Sequence, residues 1–222
     1  MVWREEEILT TSIFANLTRK PHFIFARKHP VETLYKLLFE RELPRVYVSF
    51  PISNVTDKPE IMNEINEFKE QLVKEFIVFD PYTISEKKLD YKLRAAEKAG
   101  QQEIDYEVRG KTAKIPVDQV RPIIQDINDQ IIARDLMLVE QSEMVVAFYP
   151  CFEDGTPIHS AGREREVSHA RDTGSPVYII WPSSKQEPGP FEGDVATKTF
   201  RSVSEARDFL VRKYVKAPSP SN

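Results

Sequence analysis

The chain has 222 residues and a formal net charge of −4, a length that suits one globular domain with an appendage. An acidic chain lacks the basic excess that drives non-specific binding to nucleic acid or to anionic membranes, so we expect a small-molecule partner instead. The 16 prolines outnumber the 7 glycines. Neither a Rossmann G-x-G-x-x-G nor a Walker A motif occurs, which excludes the common glycine-loop sites for pyrophosphate and triphosphate.

The compartment that the sequence favours is the reducing cytoplasm. The single cysteine, Cys151, excludes an intramolecular disulfide. The first seven residues lack the basic and apolar segments of a signal peptide. No apolar run approaches the roughly 20 residues that a bilayer-spanning helix needs. We therefore expect a cytoplasmic protein without a membrane segment.

The N-terminal 43 residues are predicted to form a separate extension. Residues 5–17 have a helical pattern, residues 23–26 resemble a strand, and a second helix starts with Pro30 and runs to Glu40. The pattern leaves two interpretations open, an additional βα unit or a packing arm.

Four short, continuous apolar runs predict strands that are buried on both faces, at residues 46–50, 76–79, 144–149 and 177–181. Helical patterns lie between them at 61–75, 117–141 and 163–173. Alternating strands and helices are typical of βαβ units with right-handed crossovers. The sequence therefore predicts an α/β domain over residues 44–215, built on a parallel sheet.

Two segments complete this outline. Residues 86–117 are predicted to be an insertion, a charged helix that Gly100 ends and a hairpin that turns at Arg109-Gly110. A last helix begins at the capping box formed by Ser202 and Glu205. Residues 216–222 are expected to be a disordered tail.

The loop after the third predicted strand, residues 150–162, and the helix that follows it are rich in acids, arginines and histidines. Ligands of open α/β sheets bind beyond the carboxyl ends of the strands, so this loop is a candidate site. Glu166 lies in the first turns of the helix. The helix N-terminus should favour its ionised form, which a nucleophile or a base requires. Alternatively, Glu166 is only a helix-start acid.

Asp135 lies on the apolar stripe of the long helix, together with Ile124, Ile127, Ile131 and Leu138. An ionised carboxylate at such a position is costly unless it is paired or lines a pocket. Two interpretations stay open: an ion pair with Arg134 or a nearby lysine, and a role in a ligand site. Asp154 precedes Gly155, and Asp-Gly is first of all a turn signal.

Two further chemistries are disfavoured. Glu166 and His169 have the Glu-x-x-His spacing of di-iron sites, but no second copy of the motif occurs, so we expect no metal. Cys151 as a nucleophile, with His159 or His169 as its base, is disfavoured because a lone buried cysteine is commonly inert.

The order of these motifs resembles the nucleoside 2-deoxyribosyltransferase family, which includes the 2'-deoxynucleoside 5'-phosphate N-hydrolases. The resemblance covers about residues 45–182 and rests on six segments: 46–48, 131–136, 142–147, 154–156, 166–170 and 174–177. It implies a flavodoxin-like (Rossmann-like) parallel sheet with helices on both faces. It also implies cleavage of the N-glycosidic bond of a 2'-deoxynucleoside or its 5'-monophosphate, by a hydrolase or a transferase, without a cofactor.

By this resemblance, Glu166 would be the nucleophile, Asp135 would lie near the sugar and the leaving base, and Asp154 would help to handle the base. The resemblance also implies a homodimer or a higher homo-oligomer. We expect substrate contacts from the turn after the first strand and from the loop and helix after the third, at Ser49, Phe50, Pro51, Ser53, Gly155, Thr156, Arg163 and His169. Arg163 and Arg165 would either clamp a 5'-phosphate or be solvated charges.

The chain departs from the family pattern at several positions. Residues 216–222 do not look like the transferases' tail, which reaches a neighbouring active site, and this favours a hydrolase over a transferase. The first strand ends in Ser49-Phe50-Pro51 instead of a Gly-Pro turn, and Ser168 replaces a glycine. The segment between Asp154 and Glu166 is longer than in the family. The alternative is a non-catalytic nucleotide-binding or sensor module on the same fold.

Overall fold

The computed structural model describes residues 23, 30–55, 58–81, 87–108 and 111–215. The predictions for residues 5–17, 24–26, 109–110 and 216–222 lie outside the described residues. Within the described ranges, no helix combines the length and the apolar character that crossing a membrane requires.

The described helices and strands follow the predicted alternation. The helices are α1 (Pro30–Phe39), α2 (Ile52–Val55), α3 (Pro59–Val73), α4 (Lys87–Lys98), α5 (Val117–Glu140), α6 (Ala161–Asp172), α7 (Pro190–Val195) and α8 (Val203–Tyr214). The strands are β1 (Arg45–Ser49), β2 (Ile77–Phe79), β3 (Glu103–Val108), β4 (Lys111–Pro116), β5 (Met144–Phe148), β6 (Val177–Ile180) and β7 (Lys198–Phe200).

Five strands form one parallel sheet in the order β2-β1-β5-β6-β7. Numbered within this sheet alone, the order is 2-1-3-4-5, which is the flavodoxin-like arrangement. The predicted α/β fold class is therefore confirmed. β1 and β5 lie side by side in the middle of the sheet, where Ser49 pairs with Ala147 in the register.

Side chains alternate between the two faces of each strand, and helices cover both faces. On one face, Val46 and Val48 belong to a core with residues of α3 and α8. On the other face, Tyr47 and Ala147 belong to a core with Val167 and Ala170 of α6 and with the C-terminal end of α5. Ser49 has the same parity as Tyr47, so it lies on the face that α6 covers.

The chain divides into two compact units, residues 1–22 with 83–134 and residues 23–82 with 135–222. The described part of the first unit contains α4, the antiparallel β3–β4 hairpin and the first three quarters of α5. Its core is formed by Leu93, Ala96, Ile104, Val117, Val120 and Ile124. Gly100, with a φ of +65°, follows α4 in the left-handed conformation that glycine adopts readily. The predicted helix and hairpin are thus both present.

The structure adds an edge strand, β7, that the sequence did not reveal. β7 has three residues, of which only Phe200 is buried, so it lacks the continuous apolar run that predicted the other strands. The helix after it is capped as predicted. Ser202 Oγ accepts a hydrogen bond from the Glu205 N–H at 3.2 Å, and Glu205 Oε2 accepts one from the Arg201 N–H at 3.0 Å.

Candidate functional site

The candidate site lies at the carboxyl ends of β1 and β5. The chain leaves these two adjacent strands toward opposite sides of the sheet, because β1 leads to β2 and β5 leads to β6. Such a topological switch point is the place where open α/β sheets bind ligands, and in the flavodoxin-like order it holds a nucleotide. Ser49 ends β1 at this point.

Glu166 faces Ser49 from helix α6. It lies in the second turn of the helix, beside the buried Val167 and one turn before the buried Ala170, which pack on the sheet. The Ser49 hydroxyl donates a hydrogen bond to Glu166 Oε2 over 2.5 Å. Ser49 is fully buried and Glu166 is 9% exposed, so the pair sits in a largely desolvated position at the edge of the sheet.

The pKa of Glu166 is raised to about 8. Burial is the main cause, and the negative charge of Asp135 is the second. Hydrogen bonds from Ser49 and Tyr47 and the positive charge of Arg163 act in the opposite direction. The sequence suggested that the helix N-terminus would keep Glu166 ionised. The structure shows that desolvation outweighs that effect, so the carboxyl group is mainly protonated at neutral pH.

Asp135 is a further predicted site residue that the structure brings near Glu166, in addition to Ser49. Asp135 lies in the last quarter of α5, half-buried, and its charge acts directly on Glu166. A pair of neighbouring carboxyl groups in different environments is the usual arrangement for dividing acid and base roles.

Asp154 serves the turn that its Asp-Gly sequence indicates. Its Oδ1 accepts a hydrogen bond from the Thr156 N–H at 2.9 Å, and its Oδ2 accepts one from Thr156 Oγ1 at 2.8 Å. These bonds lower the pKa of Asp154, which is exposed. Gly155 has a φ of +82°, and its carbonyl accepts a hydrogen bond from Ser183. Asp154 is not among the groups that act on the pKa of Glu166.

Asp154 instead borders a separate cleft of about 700 Å³. Four acidic side chains and one lysine lie among its lining residues, which are Lys58, Pro59, Glu60, Ile61, Glu64, Cys151, Phe152, Glu153 and Asp154. Burial and the nearby Glu64 carboxylate raise the pKa of the Cys151 thiol. A raised thiol pKa keeps the cysteine protonated and unreactive at neutral pH.

Arg163 is a structural residue in this fold. Its Nη1 donates hydrogen bonds to the carbonyl oxygens of Phe148 and Ile158, at 3.2 and 2.9 Å. Its Nη2 pairs with Glu164 at 3.0 Å, and its guanidinium lies 3.3 Å from the centre of the Tyr149 ring. The side chain is fully buried. Arg163 therefore holds the loop between β5 and α6 in place. This structural role replaces the predicted contact of Arg163 with a substrate phosphate.

Three other predicted contacts have different surroundings. His169 Nε2 lies 2.9 Å from Glu140 Oε1, in an exposed pair. Phe50 is 3% exposed and belongs to the core, with the Lys69 ammonium 5.0 Å from its ring centre. Pro51 is buried after it. The Ser53 side chain lies outside the described residues.

Sequence reasoning missed Tyr47 and Tyr149. Tyr47 lies in a buried strand and Tyr149 directly after one, so the sequence indicates only that they are core aromatic residues. In the structure, the Tyr47 hydroxyl contacts the carboxyl group of Glu166, and the Tyr149 hydroxyl contacts that of Glu164. The available signal was parity, since Tyr47 and Ser49 must face the same side of the sheet.

No protein-family model matches the chain, and no curated protein shows a significant match. Among solved structures, a Sir2 complex with the inhibitor EX-527, 2'-O-acetyl-ADP-ribose and a deacetylated p53 peptide is 13% identical. That match covers 78% of this chain and 95% of the other, with a TM-score of 0.31. Sir2 with a p53 peptide and NAD+ is 11% identical, with coverage of 81% and 98% and a TM-score of 0.33. At this level of similarity the matches carry no assignment of activity.

These comparisons correct two predictions. The predicted membership in the nucleoside 2-deoxyribosyltransferase family is wrong: no family model matches the chain, and the solved structures that match it include Sir2 proteins. The transferase or hydrolase activity on the N-glycosidic bond of deoxynucleosides rested on that resemblance and falls with it.

Proposed function

We propose that this chain binds a small nucleoside-containing molecule at the switch point between β1 and β5. The observation that carries the proposal is the buried hydrogen bond between Ser49 and Glu166 at the end of β1. A buried carboxyl group with a second carboxyl group nearby is costly for folding unless a ligand or a partner uses it.

The chemistry of this position suits the hydroxyl groups of a sugar. Carboxyl groups accept hydrogen bonds from ribose hydroxyls in the related dinucleotide-binding folds, where an acidic residue takes this role near the switch point. Glu166 and Asp135 supply two such groups, and Ser49 adds a hydroxyl that both donates and accepts. The ribose of the ligand would lie against these three side chains.

The charges around the site favour a ligand with little or no phosphate. The two terminal nitrogens of Arg163 are taken: Nη1 donates to two main-chain carbonyls and Nη2 donates to Glu164. The sequence has no glycine-rich phosphate loop, and two of the side chains in the proposed site, Glu166 and Asp135, are acidic. We expect nucleosides to bind at least as tightly as monophosphates, and diphosphates and triphosphates to bind more weakly because their charge is uncompensated.

Calorimetric titration with matched ligands tests the proposal. The set contains adenosine, guanosine, cytidine and uridine, their 2'-deoxy forms and their 5'-mono-, di- and triphosphates. Glu166→Gln and Ser49→Ala should each weaken binding at least about tenfold, the loss expected from one or two ligand hydrogen bonds. Asp172→Asn, which removes an exposed carboxylate from the other end of α6, is the control and should bind as wild type. Absence of binding across the set, or equal binding by Glu166→Gln, would reject the proposal.

The paired carboxyl groups favour a second candidate function, an enzyme that moves a proton to or from the bound ligand. Glu166 and Asp135 act on each other electrostatically, and such a pair can supply both an acid and a base. Chromatography of each ligand after incubation with the protein decides between binding and turnover. Turnover that Glu166→Gln abolishes even at ligand concentrations that saturate the variant would support the enzyme. Unchanged ligands would leave binding as the function.

A further inference from the structure

Three potential metal ligands converge at the carboxyl end of the sheet, on the side of β5 and β6. They are His159 in the loop after β5, Glu164 in the first turn of α6 and Glu192 in α7. His159 Nδ1 lies 3.7 Å from Glu164 Oε1 and 3.6 Å from Glu192 Oε1, and the three ligand atoms all lie within 4.8 Å of one another. We refer to these three residues as the His159 cluster.

From this cluster we infer a divalent transition-metal site. Ligand atoms at about 2.0–2.2 Å from a tetrahedral Zn²⁺ lie roughly 3.3 Å from each other. The two distances from His159 Nδ1 exceed that value by only a few tenths of an ångström. Small side-chain rotations would therefore bring the ligands into a coordination shell without moving the backbone.

The charge at this position also favours a cation. The Glu192 side chain is only 12% exposed, and among the described residues its partner within ion-pair distance is His159. Within the described part of the chain, the ion pair of Arg163 is with Glu164 and not with Glu192, so a divalent ion would offset the charge that remains.

The surroundings orient the ligands as metal sites require. Tyr149 donates a hydrogen bond to Glu164 Oε2 at 3.0 Å, and Arg163 holds Glu164 Oε1 at 3.0 Å. Such outer contacts fix the direction of coordinating carboxylates. Gly189 leaves room for Glu192, because a Cβ at position 189 would lie 2.6 Å from Glu192 Oε2.

The donor set identifies the class of ion. One imidazole nitrogen and two carboxylate oxygens suit Zn²⁺, with Co²⁺ as its spectroscopic substitute, whereas Mg²⁺ and Ca²⁺ prefer oxygen ligands throughout. Three protein ligands leave a fourth position for water. Since the ligands come from a loop and two helices, the ion would also clamp the loop between β5 and α6.

The test uses the full-length chain after chelation and dialysis. Isothermal titration with Zn²⁺ should show one equivalent bound, and Co²⁺ should quench the fluorescence of Trp181, whose ring centre lies 5.9 Å from that of His159. Trp3→Phe removes the other of the two tryptophans, so the emission reports on Trp181. Full-length protein that binds no Zn²⁺ would overturn the inference.

Three variants locate the site. His159→Ala and Glu192→Gln should each lower Zn²⁺ affinity by more than about tenfold. Gly189→Ala should do so as well by displacing the Glu192 carboxylate, with little effect on folding. His169→Ala is the control, since it removes a histidine that pairs with Glu140 outside the cluster, and it should bind as wild type. Equal loss in His169→Ala, or unchanged binding in both His159→Ala and Glu192→Gln, would place the ion elsewhere and overturn the inference.

Discussion

The Ser49 hydroxyl, at the end of β1, donates a 2.5 Å hydrogen bond to Glu166 Oε2, and the two residues are 117 positions apart in the chain. The bond joins the central strand of the sheet to the helix after β5, at the point where the connections diverge. It also means that the carboxyl group of Glu166 was removed from water by folding. The ionisation of Glu166 and the stability of the protein must therefore be linked.

The first prediction concerns the pH dependence of stability. Glu166 has an ordinary pKa of 4.5 in the unfolded chain and about 8 in the folded protein, so folding takes up a proton between these values. Its contribution to stability is complete below pH 4.5, falls by about 1.4 kcal/mol per pH unit above it, and is lost by pH 8. Glu166→Gln removes this dependence.

Urea unfolding of wild type and Glu166→Gln in buffer with a chelator measures the effect. Between about pH 5.5 and pH 8, the stability of wild type relative to the variant should fall by about 3 kcal/mol. Comparing the two proteins cancels the titration of all other groups. A difference that stays constant across this range would show that Glu166 ionises normally in the folded state.

Part of this site was predictable from the sequence, and the missing part has a physical reason. Asp135 on an apolar helical stripe and Glu166 near a helix start were visible from spacing alone. The protonation of Glu166 was not, because it depends on the burial of the carboxyl group in the folded chain and on the nearby charge of Asp135. Local sequence shows the helix N-terminus, whereas only the tertiary fold shows the desolvation that outweighs it.

The same reasoning applies to the fold. Strands β1, β2, β5 and β6 are continuous apolar runs, and their burial on both faces made them predictable. β7 is an edge strand with one buried residue, Phe200. Only its pairing with β6 identifies it as a strand, and the sequence does not show that pairing. Arg163 was misread because a charged residue at a helix start is usually solvated, and nothing local indicates that its guanidinium turns toward two carbonyl groups.

The second prediction concerns Asp135. Its negative charge raises the pKa of Glu166, so Asp135→Asn should lower that pKa toward its ordinary value. The loss of stability with pH that belongs to Glu166 should then end at a lower pH than in wild type. Urea unfolding of Asp135→Asn and of Asp135→Asn with Glu166→Gln over the same pH range gives this end point by difference. An end point that is unchanged would mean that the two carboxyl groups are too far apart to interact.

The third prediction concerns Arg163. Arg163→Ala leaves the carbonyl groups of Phe148 and Ile158 without their donor and opens a space against the Tyr149 ring. We expect a loss of about 2–4 kcal/mol in the free energy of unfolding, together with faster hydrogen exchange in residues 150–160. Arg165→Ala is the matched control, because Arg165 is exposed on the same helix, and it should change stability by less than about 0.5 kcal/mol. Equal effects of the two substitutions would refute the fastening role of Arg163.

The fourth prediction concerns the cleft beside Asp154. Burial and the Glu64 carboxylate raise the pKa of Cys151, so alkylation by iodoacetamide should have its pH midpoint above that of an ordinary thiol. Since the chain has one cysteine, the labelling rate, followed by mass spectrometry, reports on this residue alone. Glu64→Gln removes the charge that raises the thiol pKa most, and it should move the midpoint to lower pH and speed the reaction near neutrality. Glu60→Gln changes an acid that lines the same cleft without acting on the Cys151 pKa, so its midpoint should match wild type. If both variants shifted the midpoint equally, the general charge of the cleft, and not the proximity of Glu64, would control the thiol.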